Sequence, residues 1–179
     1  MSPAGSRSVT TPDAIELRDH DSQVGMLFPT HLLVAAFIGH ESRLSSVWLV
    51  LGASLPDVID KPLGLLGIVD LYHSIGHTAL VAPFFLLLAL SSRTGLAVAI
   101  GWVSHLMLDA LHVVINGRPN DALFLGWPLV APADPLGIPP GEFLLFYLWT
   151  PSFLIEGILW IALALVVAKH RLALPDPSK

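Results

Sequence analysis

Histidine and aspartate residues stand at the ends of long apolar stretches of this chain. An ionisable group in such a stretch is a candidate functional group, because burying it in hydrocarbon is costly. Residues of these types could bind a metal ion or move protons. Four stretches carry them: Thr30-His31, Leu55-Pro56-Asp57, His73-Ser74-Ile75-Gly76-His77-Thr78 and Ser104-His105-Leu106-Met107-Leu108-Asp109-Ala110-Leu111-His112.

The spacing inside these stretches suits a metal site. On a helix, His105, Asp109 and His112 would project along one stripe. His73 and His77 are also four residues apart. Imidazole and carboxylate ligands without thiolate suit zinc, manganese or iron, and zinc is our first expectation among these divalent metals. An ion with an open coordination position lowers the pKa of a bound water, so the pattern predicts hydrolytic chemistry.

Composition indicates a membrane protein. Hydrophobic residues make up 54% of the 179 residues and charged residues only 13%, with a mean hydropathy of +0.71. Soluble domains are typically about 25% charged. The chain has no cysteine, so thiolate ligands and disulfides are excluded. The net charge of -5, without a basic stripe, argues against a nucleic-acid partner.

The apolar runs predict an all-α fold, namely a polytopic membrane helical bundle of four to five transmembrane helices. Runs 95–115 and 143–168 are long enough to cross a bilayer, and run 78–90 reaches the lower limit if it begins near Ser74. Runs 27–39 and 44–56 are shorter, and they form either tilted spans or a re-entrant hairpin.

A single domain is expected. It comprises a polar flexible tail at 1–25, a membrane-embedded helical domain at 26–170 and a polar tail at 171–179. Six prolines and four glycines between 116 and 142 predict a long loop before the last span.

The order of the runs brings the polar stretches to one end of the bundle. His31 opens the first run and Asp57 closes the second, so they share a side whether or not these runs cross the membrane. The chain stays on that side until His73 and His77 open the next span. The following span returns, carrying His105, Asp109 and His112 in its second half.

Two functions fit this arrangement. In the first, Asp57, His77, His105 and Asp109 ligate one or two metal ions, and Asp60 or His73 completes the shell or acts as general base. The activated water would attack an ester or phosphoester of a lipid or envelope precursor. In the second, the same residues form an ion or proton pathway of a small transporter or accessory protein.

Each residue also has a structural interpretation. Asp57 could cap a helix or bind Lys61, and Asp60 could be a solvated loop charge. His105 and Asp109 could form a polar pair that joins two helices. Glu156, inside the last apolar run, should be protonated or paired. A purely structural polar core predicts that no metal binds.

The order of these motifs resembles that of the YdjM-like family, small membrane proteins described as metal-dependent hydrolases. The resemblance covers roughly residues 26 to 130. It rests on four segments: Pro29-Thr30-His31, Leu55-Pro56-Asp57 followed by Asp60-Lys61-Pro62, His73-Ser74-Ile75-Gly76-His77-Thr78, and Gly101-Trp102-Val103-Ser104-His105-Leu106-Met107-Leu108-Asp109-Ala110.

The resemblance implies an all-helical, multi-pass protein of the inner (cytoplasmic) membrane that meets membrane lipids. It also implies a set of candidate metal ligands: His31, Asp57, His77, His105 and Asp109. The chain departs from the family pattern in two places. Lys61 stands where a histidine often follows the acidic residues, and Ser74 stands where arginine often follows His73.

Overall fold

The computed structural model describes residues 27–69, 71–130, 147–148 and 150–173, with the backbone alone for 170–173. The predicted tail at 1–25 and residues 174–179 of the predicted C-terminal tail lie outside this part of the chain. The predicted all-α class is confirmed for the described residues, which contain no strand. The elements are α1 (Phe28–Glu41), α2 (Ser46–Leu65), a 3-10 helix (Ala79–Val81), α3 (Ala82–Ser91), α4 (Arg93–Ile115), a second 3-10 helix (Pro119–Gly126) and α5 (Pro151–Ala173).

In the part of the chain that the structure describes, two helices are long and apolar enough to cross a membrane. They are Arg93–Ile115, which is α4, and Pro151–Lys169 within α5. Large apolar side chains along α5 face outwards, with Ile158, Ile161 and Leu165 each about two-thirds exposed at 68%, 64% and 66%. This exposure matches the lipid-facing side of a span.

Helix α2 is longer than its apolar run predicted. It continues through Pro56 and Pro62 to Leu65, so Asp57 does not close the helix, and Asp60 lies inside it as well. Prolines usually end or kink a helix, but α2 stays continuous across both of them. Asp57 and Asp60 therefore project from a helix that is already packed against its neighbours.

The span predicted to begin near Ser74 is wrong at its start. Residues 72–78 form a turn without regular helix, and α3 begins only at Ala82. The four-residue spacing of His73 and His77 is therefore not a helical spacing. The predicted break before Arg93 is confirmed, because Ser92 caps α4 by accepting from the Gly95 amide at 2.9 Å.

Glycines let α2 and α4 approach closely. A Cβ at Gly101 would collide with the backbone carbonyl of Leu49, and a Cβ at Gly52 would collide with that of Val98. Small side chains allow two helix backbones to pack in direct contact. A fully buried apolar cluster surrounds this crossing, formed by Ala35, Leu49, Ala53 and Ala97.

A second apolar cluster supports the turn at 72–78. Phe85 of α3 stacks on Trp102 of α4 with ring centroids 4.3 Å apart. The indole N–H of Trp102 donates to the Gly76 carbonyl at 3.0 Å. Gly76 itself lies against Pro56, where a Cβ would meet backbone atoms at 2.7 Å. These contacts fix the turn that carries His77 between α2 and α4.

Candidate metal centre

The structure brings together five predicted ligands, which we call the His/Asp centre: His31, Asp57, His77, His105 and Asp109. They come from α1, α2, the turn at 72–78 and α4. All are buried except Asp57, whose side chain is 12% exposed. The predicted convergence on one end of the helices holds for the described residues, while the ligand roles themselves stay predictions.

Two histidine nitrogens of the centre lie at closely similar distances from each other and from two carboxylate oxygens. His77 Nε2 is 3.1 Å from His105 Nε2, 3.4 Å from Asp109 Oδ2 and 3.6 Å from Asp57 Oδ1. His105 Nε2 is 3.1 Å from Asp109 Oδ2 and 4.0 Å from Asp57 Oδ1. Ligands at tetrahedral zinc distances of about 2.0–2.1 Å stand about 3.3 Å from one another. These separations therefore suit one small divalent ion.

Backbone and carboxylate acceptors select the tautomers of both histidines. His77 Nδ1 lies 2.7 Å from Asp60 Oδ2, and His105 Nδ1 lies 2.7 Å from the carbonyl oxygen of Ala53. Neither oxygen can donate when Asp60 is ionised, so each Nδ1 carries the hydrogen. In the neutral rings, both Nε2 atoms then present lone pairs to the centre. Hydrogen bonds of this kind orient histidine ligands in many metal sites.

The centre therefore gathers lone pairs that repel one another unless a cation lies among them. Two imidazole nitrogens face each other at 3.1 Å beside the buried Asp109 Oδ2, which accepts no hydrogen bond as long as both rings are neutral. Unsatisfied buried acceptors are costly and rare. The cation that relieves the repulsion is either a proton or a metal ion. Although burial opposes protonation of His77, hydrogen bonds to Asp109 and Asp60 raise the pKa of this residue.

Asp60, predicted as a catalytic residue, lies beneath His77 and away from solvent. Its carboxylate is fully buried and accepts the backbone amides of Ser74 at 2.7 Å, Gly76 at 2.8 Å and His77 at 3.2 Å. With the bond to His77 Nδ1, these contacts occupy both oxygens. The position suits a residue that fixes the turn and the ring, and it offers no open face to a substrate.

His31 joins the centre from the first turn of α1. Its Nε2 lies 3.2 Å from Asp109 Oδ1, and its ring stacks on His105 with centroids 3.8 Å apart. The two oxygens of Asp109 therefore face different partners, with Oδ2 towards His77 and His105. Helix α5 fixes this end of α1, because Glu156 Oε1 accepts from the Leu27 amide at 2.8 Å.

One side of the centre is open, where Asp57, His73 and Lys61 lie. His73 is half-buried, and its ring meets His77 edge-on with centroids 4.5 Å apart. Burial and the positive charge of Lys61 hold the pKa of His73 well below its ordinary value. Lys61 Nζ lies 3.3 Å from Asp57 Oδ1, and 32% of the lysine side chain is exposed. Of the two predicted catalytic residues, only His73 lies on this open side.

Three contacts of the site had no clear sequence signal. The Ala53 carbonyl is a backbone group, which no residue type marks. Glu156 was expected to need a partner, but its bond to Leu27 joins residues 129 positions apart. His112 is fully buried against Tyr147, with ring centroids 5.7 Å apart, and its two nitrogens have no hydrogen-bond partner. His40, which lies outside the four polar stretches, is exposed.

Comparisons with protein-family models, curated proteins and solved structures found no match to this chain.

Proposed function

We propose that this protein is a membrane-embedded, metal-dependent hydrolase that acts on an ester or phosphoester of a lipid or envelope precursor. The observation that carries the proposal is the convergence of lone-pair atoms from four residues: His77 Nε2 and His105 Nε2 lie 3.1 Å apart, and each lies 3.1–4.0 Å from Asp57 Oδ1 and Asp109 Oδ2. A divalent cation satisfies all of them at once. Zinc is the first expectation, with manganese or iron as alternatives.

A bound ion of this kind supplies a Lewis acid and a nucleophilic water near neutral pH. His77 and His105 hold the ligand geometry, since Asp60 and the Ala53 carbonyl fix their rings. His73, on the open side, is the group placed to take a proton from the attacking water. Water adds to the carbonyl or phosphoryl centre, the bond to the alcohol oxygen breaks, and the alcohol leaves with a proton.

The long apolar helices support a location in the membrane. With α4 and α5 as spans, we propose that the shorter helices complete a multi-pass bundle of four to five crossings in the inner membrane. The His/Asp centre would then lie near one surface, where lipid headgroups meet water. The resemblance to the YdjM-like family supports this proposal through the motif order alone. A shared fold alone would not establish the function, so the geometry of the site carries the proposal.

A proton pathway would need polar groups that continue towards the other face. Glu156, the carboxylate inside the last apolar run, bonds to Leu27 at the start of α1, on the same side as His31. Beyond the centre, the buried cluster of the described part is apolar, formed by Ala35, Leu49, Ala53 and Ala97. The described residues therefore favour the hydrolase over the proton pathway.

The test is hydrolysis by the purified protein in lipid nanodiscs. A panel of short-chain carboxylic esters and phosphoesters is incubated with protein stripped by a chelator and with protein reloaded with zinc, manganese or iron. We expect activity only after reloading. His105→Ala should abolish it, while His40→Ala, an exposed histidine outside the centre, should leave it unchanged. Activity that survives both stripping and His105→Ala would overturn the proposal.

A further inference from the structure

Lys61 places a positive charge beside an atom of the centre. Its Nζ is 3.3 Å from Asp57 Oδ1, which in turn faces His77 Nε2 at 3.6 Å and His105 Nε2 at 4.0 Å. The ammonium therefore contacts an oxygen that would itself bind the metal ion. Its charge also reaches the ring of His73, the other residue of the open side.

This position is unusual for a cationic side chain. A lysine repels a metal ion bound nearby, and its pair with Asp57 competes for the oxygen that the ion would need. The pair is an i,i+4 contact with a partly exposed lysine, and such contacts stabilise a helix only slightly. Helix stability alone therefore does not explain why a cation lies here.

A bound metal ion would free the lysine. With Asp57 Oδ1 directed to the ion, the flexible four-carbon stem of Lys61 can carry its ammonium to another anion on the open side. Arg118, a cationic side chain just after α4, pairs with Asp121 at 2.7 Å. The anion that Lys61 meets would be bound jointly by the ammonium and the metal ion.

We infer that Lys61 selects the substrate, and that the substrate is a phosphoester with an anionic non-bridging oxygen rather than a neutral carboxylic ester. The inference rests on the proposed function and names its substrate class. A phosphate oxygen accepts from an ammonium through a charge-assisted hydrogen bond, which is stronger than a neutral one. A carboxylic ester carries no charge to balance Lys61.

The experiment measures binding of two probes to the zinc-loaded protein in nanodiscs by isothermal titration calorimetry. Inorganic phosphate represents a free phosphate, and dihexanoyl phosphatidic acid represents a lipid headgroup. Lys61→Met removes the charge, and Lys61→Arg retains it. Lys169→Met is the matched control, because Lys169 is an exposed lysine near the C-terminal end of α5. Zinc content is measured in every sample.

We expect Lys61→Met to weaken binding of at least one probe by about tenfold or more. Lys61→Arg should weaken it less, and Lys169→Met should not change it. Dependence on Lys61 for phosphatidic acid alone identifies a lipid headgroup as the source, and equal dependence for both probes identifies the phosphate group itself.

Two results separate the failures. In the first result, all variants are fully loaded with zinc, but Lys61→Met leaves the probe affinities unchanged or the unsubstituted protein binds no probe. This result overturns the role of Lys61 and leaves the metal centre standing. Absence of zinc from the unsubstituted protein overturns the proposed function, and the inference falls with it.

Discussion

The α2–α4 pair has two regions built on opposite principles. Around Gly52 and Gly101 the helices touch through small apolar residues, and no side chain there can titrate or bind a ligand. About one and two turns further along α4, His105 and Asp109 join the His/Asp centre, where His105 Nε2 lies 4.0 Å from Asp57 Oδ1. The apolar region holds α2 and α4 at a fixed separation, and the groups of the polar region face one another across it. The polar region can keep mutually repelling groups together because the apolar region sets the distance between the two helices.

The largest effect is expected from breaking the apolar region. Gly101→Leu would drive a side chain into the Leu49 carbonyl, a backbone group that cannot move aside. We expect a loss of about 3 kcal/mol or more in the free energy of unfolding, together with loss of metal binding. Thermal unfolding in detergent and zinc content measure the two effects.

The matched control for this substitution is Gly157→Ala. A Cβ at Gly157 meets nothing within 4 Å, so this helix position should tolerate alanine or gain up to about 1 kcal/mol. If Gly101→Leu were as stable as Gly157→Ala, close contact at the crossing would not be what positions the centre.

Asp60→Asn should separate metal affinity from folding. The carboxylate accepts hydrogen bonds from three backbone amides and from His77 Nδ1. The NH₂ group of an asparagine cannot accept these bonds and would point a donor at one or more of the same N–H groups. We expect zinc affinity to fall about 10–100-fold, as for other residues that orient metal ligands. Competition with a fluorescent zinc chelator measures the affinity. Asp121→Asn, at the carboxylate paired with Arg118 outside the centre, should have no such effect; equal affinities in the two variants would contradict the account.

A smaller effect is expected at the junction of α1 and α5. Glu156→Ala removes the acceptor of the Leu27 amide, and we expect a loss of about 1–2 kcal/mol in stability. Glu156→Gln retains an oxygen and should recover most of that loss. Chemical denaturation followed by tryptophan fluorescence compares the variants. Identical stability of the alanine and glutamine variants would show that this hydrogen bond does not hold α1 in place.

The parts of the site that the sequence predicted are those set by local helix geometry. His105 and Asp109 share a stripe because any helix places residues four apart on one face. The break before α4 was predictable from Ser91-Ser92-Arg93, since serine is a common N-cap. The all-helical class followed from the length and apolar character of the runs.

The parts that could not be predicted depend on distant contacts. The second apolar run ended at Pro56, yet α2 continues through Pro56 and Pro62 and packs against α1 and α4. His77 was grouped with the other polar residues by an assumed helix, whereas it reaches the centre from a turn held by Asp60 and Trp102. No residue pattern near His77 encodes these partners, because they lie 17 and 25 positions away in the sequence.

The most direct test of the account is the metal content of the folded protein. Detergent-purified protein is dialysed against zinc, manganese or iron and analysed by elemental analysis, alongside Asp109→Asn and His40→Ala, with folding checked by circular dichroism. We predict about one or more equivalents of metal in the unsubstituted protein and in His40→Ala, and loss of most of it in folded Asp109→Asn. Folded protein that takes up none of these metals would contradict the account, since the cation among the lone pairs of the His/Asp centre would then be a proton.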